Sequence, residues 1–199
     1  MTTNQSNLLP FEGEVFYFSN FFSKKQSDDY FEKLQIETQW KQEPIVLFGK
    51  KIMQPRLTSW YGDKNQIYGY SGIKMTPNLW TPTLLEIKKE VETLSSSSFN
   101  SALLNQYRNG QDSMGWHRDN EKELGPEPII ASVSFGETRN FFFRHYKTKD
   151  VKICVTLSHG DVLLMRGTTQ KYWQHAVFKS SNTLKPRINI TFRHILEGL

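Results

Sequence analysis

In the stretch "MGWHRDNE", His117 and Asp119 stand two residues apart, close enough to share a task. In an extended segment residues two apart face the same side, so an imidazole and a carboxylate can converge on one ion. A third ligand is then needed, and His145, His159, His175 and His194 are the histidines available. His175, inside "WQHAVF", is the best placed, because its run reads as a penultimate strand that a β-roll returns beside the first ones. Two imidazoles and one carboxylate on one face leave room in an octahedron for a cosubstrate and O2, which suits a non-heme Fe(II) centre. Zinc competes for the same ligands, since with a water they make a hydrolytic site.

The stretch "PRINITFR" decides more. Arg187, Asn189, Thr191 and Arg193 alternate with Ile188, Ile190 and Phe192, so a strand sends the polar set one way and the apolar set the other. Polar groups that face into a roll must find partners, and two arginines there ask for carboxylates. A dicarboxylate cosubstrate answers that demand with one arginine for each end, each able to form a paired hydrogen bond. Asn105 and Tyr107, again two apart in "LNQYRNG", can add neutral hydrogen bonds.

These residues need elements to position them. From Ala102 onward come short alternating or apolar runs: 129–135, 140–145, 151–157, 161–165, 173–178 and 187–195. Turn-formers such as Gly136, Gly160, Gly167 and Pro186 separate them, and near-regular strands without helices between them predict a sandwich or jelly roll. Before this region the pattern predicts two helices. One runs over 27–40, with Ser27 as N-cap and Asp28 and Asp29 in the first turn. The other runs over 82–94, with Pro82 at its start and an apolar face of Leu84, Leu85, Ile87, Val91 and Leu94. The chain to about Asn20 reads as loosely ordered, although Phe16, Phe18, Phe21 and Phe22 suggest that it packs down. The expected architecture is α+β, a double-stranded β-helix (jelly roll) buttressed by N-terminal helices. The whole of 1–199 reads as one domain, with 1–100 as an extension and recognition lid and 101–195 as the catalytic core.

Composition sets the outer limits. The net charge of +5 and a pI near 9.2 favour a polyanionic partner, and aromatics are frequent at 14%. The single cysteine, Cys154, excludes an intramolecular disulfide and reads as a small buried hydrophobe. No apolar run approaches the roughly 20 residues of a membrane span, and the polar start does not read as a signal peptide.

Taken together, "NQYRNGQDSMGWHRD", "SVSFG", the later histidine and "RINITFR" resemble the AlkB family of Fe(II)/2-oxoglutarate-dependent dealkylases. The likeness runs from about Phe48 to Arg193. It extends to the duplex-active animal homologues through "LFGK", "QPRLTSWYGD" and "YGYSG". The resemblance implies that His117, Asp119 and His175 hold iron and that Arg187 grips the distal carboxylate of 2-oxoglutarate. It also implies that Arg193 reaches the iron-chelating end, with Asn105, Tyr107, Asn189 and Thr191 assisting. Tyr70 resembles the ring that stacks on a flipped base, opposite His117, with Tyr68 and Ser71 lining the same pocket. Glu121 resembles a contact to the exocyclic amine, Arg56 a lid residue near the lesion, and Phe48 an intercalating finger.

The activity so implied uses Fe(II), O2 and 2-oxoglutarate. It removes N-alkyl groups of the 1-methyladenine and 3-methylcytosine type from duplex or single-stranded DNA, and releases succinate, CO2 and an aldehyde. RNA is the alternative substrate, because single strands present the same bases already splayed out. A binding module without turnover and an oxygenase of small molecules or protein side chains are the other readings. A monomer is expected, cytoplasmic in a bacterium and nuclear in a eukaryote.

Overall fold

The computed structural model describes residues 5–196 except 48, 65–67, 71, 72, 76 and 183, and leaves aside the side chains of 46, 47, 68–70 and 73–75. In chain order the first half gives β1 (Glu14–Phe18), α1 (Lys24–Glu37), β2 (Pro44–Leu47), β3 (Lys50–Met53) and β4 (Leu57–Gly62). After these come β5 (Tyr68–Tyr70), β6 (Ile73–Met75) and α2 (Pro82–Ser95). The second half gives β7 (Ser101–Tyr107), β8 (Met114–His117), β9 (Ile130–Gly136), β10 (Arg139–His145) and β11 (Lys152–Leu157). It closes with β12 (Asp161–Arg166), the short α3 (Thr169–Tyr172), β13 (Trp173–Val177) and β14 (Arg187–Arg193).

Two antiparallel sheets face each other. The larger has the order β1-β12-β9-β14-β7-β4 and the smaller β11-β10-β13-β8, so from β7 to β14 the chain passes back and forth between the sheets, except at the β10–β11 hairpin, as in a double-stranded β-helix. Two of the six strands in the larger sheet, β1 and β4, come from the first 100 residues. The separate hairpins β2–β3 and β5–β6 stand outside both sheets.

The alternation in β14 explains why the larger sheet has two useful faces. Ile188, Ile190 and Phe192 pack outward into a core shared with Leu34 of α1 and with Leu84, Ile87 and Val91 of α2. On the inner face a second core, including Phe141, Phe143, Leu163, Met165 and Trp173, fills one end of the space between the sheets. The polar residues of β14 occupy the rest.

Three expectations need correction. Helix α1 starts a turn earlier than the pattern suggested, because Ser23 and Gln26 form a capping box, while Ser27 is buried within the helix. Asp28 and Asp29 therefore lie past the first turn, where they pair with Lys24 and Lys33 one turn away. The helix also ends at Glu37, as Thr38 turns extended. The N-terminal stretch is not loose: β1 pairs along its whole length with β12, and Leu9, Val15, Phe18 and Phe22 are buried. Cys154 is exposed, since Val155 and Leu157 take the inward positions of β11. Helix α2 begins at Pro82 as read, with Thr81 as N-cap and Ser96 ending it in the left-handed region at φ 53°. It buries Leu84, Ile87 and Val91, but Leu85, expected on the apolar face, points to solvent.

Candidate metal centre and active site

His117 and His175 come together because β8 and β13 are neighbours in the smaller sheet, where their Cα atoms are register partners. Their ring centroids lie 4.1 Å apart. Asp119 reaches the same point by a different route from the one its spacing suggested. Strand β8 ends at His117, so Asp119 lies in the following loop. There its backbone N–H donates to Gln170 Oε1 at 3.0 Å, and its Oδ2 accepts from Arg193 Nη2 at 2.7 Å and Nε at 3.1 Å. The other oxygen, Oδ1, lies 3.9 Å from His117 Nε2.

One donor atom from each of the three residues lies within 4.8 Å of the others, and among the described residues this is the group that could hold a metal ion. The electrostatics suit a cation. His117 Nδ1 lies 2.9 Å from the Gly115 carbonyl, which fixes the proton on that nitrogen and leaves Nε2 free as a ligand. Burial, the main cause, pulls the His175 imidazole down to about 3, so its ring is neutral near pH 7. Burial also lowers His117, against the opposing pull of Asp119. Burial alone would raise Asp119, but Arg193 and the two histidines outweigh it and hold the carboxyl well below the usual range. His175 Nδ1 is buried without a hydrogen-bond partner among the described residues. Neutral imidazoles beside an ionised carboxylate, with a ring nitrogen unsatisfied, fit a divalent metal.

Two cavities meet at this cluster. The inner one lies between the sheets and is lined by Asn105, Tyr107, Ser132, Asn189 and Thr191. The outer one, about 500 Å³, is lined by Arg56, Trp60, Asn78, Arg118 and Glu121. His117, Asp119 and Arg193 border both.

Beside the inner cavity, Arg187 is fully buried. Its Nη2 donates to Ser134 Oγ at 2.9 Å and its guanidinium lies 5.2 Å from the Tyr107 ring centre, while Nε and Nη1 have no hydrogen-bond partner among the described residues. Burial, the main cause, together with the nearby Arg139 charge brings Arg187 down to about 10, so it is still cationic near pH 7. A buried cation with two nitrogens whose N–H donors are unused calls for an anion. Asn189 Nδ2 is engaged by Ser132 Oγ and the Val133 carbonyl, and Thr191 Oγ1 lies 3.3 Å from Asn189 Oδ1. Ser132 and Ser134 were not foreseen as part of this face. Their alternation with Val133 in "SVSFG" is the signal that could have found them.

The remaining expected residues divide. Glu121 borders the outer cavity. Arg56 also borders it but is only 4% exposed; its Nε donates to Asn105 Oδ1 at 2.7 Å and its Nη1 to the Ser113 carbonyl. Tyr68 and Tyr70 lie on β5, whose side chains are outside the described residues, as are Phe48 and Ser71 altogether. Of the other histidines, His145 pairs with Glu12, His159 with Asp28, and His194 Nδ1 lies near the Ser98 carbonyl, all away from the cluster.

The sequence pattern described as "2OG-Fe(II) oxygenase superfamily" matches residues 14–193. Human "DNA oxidative demethylase ALKBH2" is 36% identical over 195 residues, covering 93% of this chain and 75% of that protein. The chain belongs to the AlkB family of the 2OG-Fe(II) oxygenases. Other AlkB-family relatives include "Alpha-ketoglutarate-dependent dioxygenase alkB homolog 3" from Bos taurus, 43% identical over 184 residues, and from Homo sapiens, 40% identical over 190. These matches cover 88% and 91% of this AlkB-family chain, which spans 64% and 66% of the relatives' lengths. The solved chain titled "The structure of OsALKBH1" superposes with a TM-score of 0.67 at 21% identity, covering 94% of this chain and 99% of that one, and shares the fold.

Proposed function

We propose that the protein is an Fe(II)- and 2-oxoglutarate-dependent dioxygenase that removes alkyl groups from the nitrogens of DNA bases. The observation that carries this reading is the position of the His117, Asp119 and His175 cluster between an inner cavity beside a buried, unsatisfied Arg187 and an outer cavity large enough for a base. The similarity to relatives named DNA oxidative demethylase supports the choice of DNA, as does the net charge of +5.

His117, Asp119 and His175 would hold Fe(II), which supplies O2 activation coupled to conversion of 2-oxoglutarate into succinate and CO2. Arg187 pairs with the distal carboxylate of 2-oxoglutarate, and Asn105, Tyr107, Asn189 and Thr191 line its path. Arg193 holds Asp119 Oδ2, which leaves Oδ1 to the metal, and reaches the near end of the cosubstrate. Enclosure between the sheets excludes water, so these charges act at full strength. Glu121 and Arg56 border the outer cavity, where they can meet the base, and the family resemblance gives Tyr70 the role of stacking on it, with Tyr68 and Ser71 as further base-binding residues. The alkyl carbon gains a hydroxyl group and leaves the nitrogen as an aldehyde. The base must leave its stack to enter, and methylation of its pairing edge lowers that cost.

From the family resemblance we propose for Phe48 the role of the ring that fills the gap left in a duplex, a contact worth about 1–3 kcal/mol by stacking. The test uses oligonucleotides with a single 1-methyladenine or 3-methylcytosine, as DNA or RNA, single-stranded or duplex, with Fe(II) and 2-oxoglutarate and the product mass as readout. Demethylation of DNA supports the proposal, and turnover confined to RNA replaces it with the RNA reading. Phe48→Ala should slow repair of duplex DNA much more than of single strands; equal loss on both would place Phe48 elsewhere.

A further inference from the structure

Asp119 is the one member of the cluster that no strand fixes, since it follows the end of β8. Two contacts tie its loop to α3, the short helix between β12 and β13. The Arg118 guanidinium donates to the Lys171 carbonyl at 2.7 Å, and the Asp119 N–H donates to Gln170 Oε1 at 3.0 Å. Gln170 is 1% exposed, and its other side-chain atom, Nε2, reaches Met165 Sδ at 3.5 Å, so the amide is pinned at both ends.

The helix that carries Gln170 is itself fastened to the N-terminal segment. Thr169 Oγ1 accepts from the Glu14 N–H at 2.8 Å and lies within hydrogen-bond reach of the Glu14 and Arg166 carbonyls. Trp173 Nε1 donates to the Phe11 carbonyl at 3.1 Å. Gly13 is pressed against Thr169, where an added Cβ would meet its backbone at 3.0 Å. A four-residue helix has little stability of its own. Here it is held from outside, and its inward side chain meets the backbone of Asp119.

We infer that Gln170 is a positioning residue for the metal centre: by accepting the Asp119 N–H it sets the loop so that Arg193 takes Oδ2 and Oδ1 is left toward the two imidazoles. The inference rests on reading His117, Asp119 and His175 as metal ligands. Groups that orient metal ligands typically change affinity 10–100-fold when removed. Gln170→Met keeps length and volume but removes the acceptor, leaving a buried N–H without a partner.

The test is Mn(II) binding to the metal-free protein without cosubstrate, alongside the melting temperature of each variant. Tyr17→Phe, which removes a hydrogen bond to Asp161 on the far edge of the larger sheet, serves as the control for general destabilisation. Gln170→Met should weaken Mn(II) binding about 10-fold or more, whereas Tyr17→Phe should lower the melting temperature and leave binding unchanged. Unchanged Mn(II) binding in Gln170→Met, or an equal loss in Tyr17→Phe, would overturn the inference. If Gln170→Met fails to fold, amide exchange in the wild-type protein decides: the Asp119 N–H should be protected, and free exchange would contradict the assignment. A wild-type protein that bound no Mn(II) would remove the metal reading itself, and the role of Gln170 with it.

Discussion

Each member of the cluster has a separate support. His117 is oriented by its own strand's Gly115 carbonyl, His175 is packed against Phe141 at 5.4 Å between ring centres, and Asp119 is gripped by Arg193. Removing any one ligand from a site with three leaves too few to retain the metal. His117→Ala, Asp119→Ala and His175→Ala should therefore each abolish stoichiometric metal binding, measured by metal analysis after gel filtration. His159→Ala and His194→Ala should retain it, because both side chains point elsewhere. Retained metal in His175→Ala would refute the ligand assignment. Arg187→Ala should raise the 2-oxoglutarate concentration needed for half-maximal turnover while changing DNA affinity little. Loss of one side of a buried charge pair costs about 3–5 kcal/mol, enough to leave cosubstrate binding barely measurable.

At the scale of elements, legibility followed the reach of the signal. The alternation of "PRINITFR" revealed both faces of β14 because strand periodicity is local and the sheet is buried on both sides. The N-terminus of α1 was misread because Ser23 and Ser27 are equally good caps in isolation, and Gln26 selects the first. Strand β1 was missed because its partner, β12, lies some 150 residues away and no local pattern announces the pairing. Gln170 was invisible for the same reason: its role depends on a loop about 50 residues earlier folding against it.

The β1–β12 edge also carries a pH dependence. Burial, aided by Asp161, raises the Tyr17 hydroxyl from 10.0 to about 12, so the folded state holds this proton more tightly than the unfolded chain. Its contribution is complete below about pH 10 and is lost as the pH rises towards 12. Tyr17→Phe should thus show a shallower fall of melting temperature across that window. Burial also raises Tyr30, so some slope will persist. An unchanged slope in Tyr17→Phe would mean that the hydroxyl is not buried against Asp161.

For the whole molecule, the sheets do more than hold ligands. The larger sheet contributes Arg187, Asn189, Thr191 and Arg193 from one central strand, and the smaller contributes His117 and His175 from adjacent strands, so the metal cluster sits where the two inner faces meet. His117, Asp119 and Arg193 border both cavities, so the cluster lies where the two meet. In the proposed reaction, oxidation of 2-oxoglutarate on one side of the cluster is spent on an alkyl carbon on the other. The most direct measurement follows a single-lesion 1-methyladenine DNA oligonucleotide with limiting protein, and counts succinate, formaldehyde and demethylated base in one reaction. The wild-type protein should give all three in equimolar amounts, and Asp119→Ala none. Succinate formed without demethylated base, or demethylation that needs no 2-oxoglutarate, would contradict it.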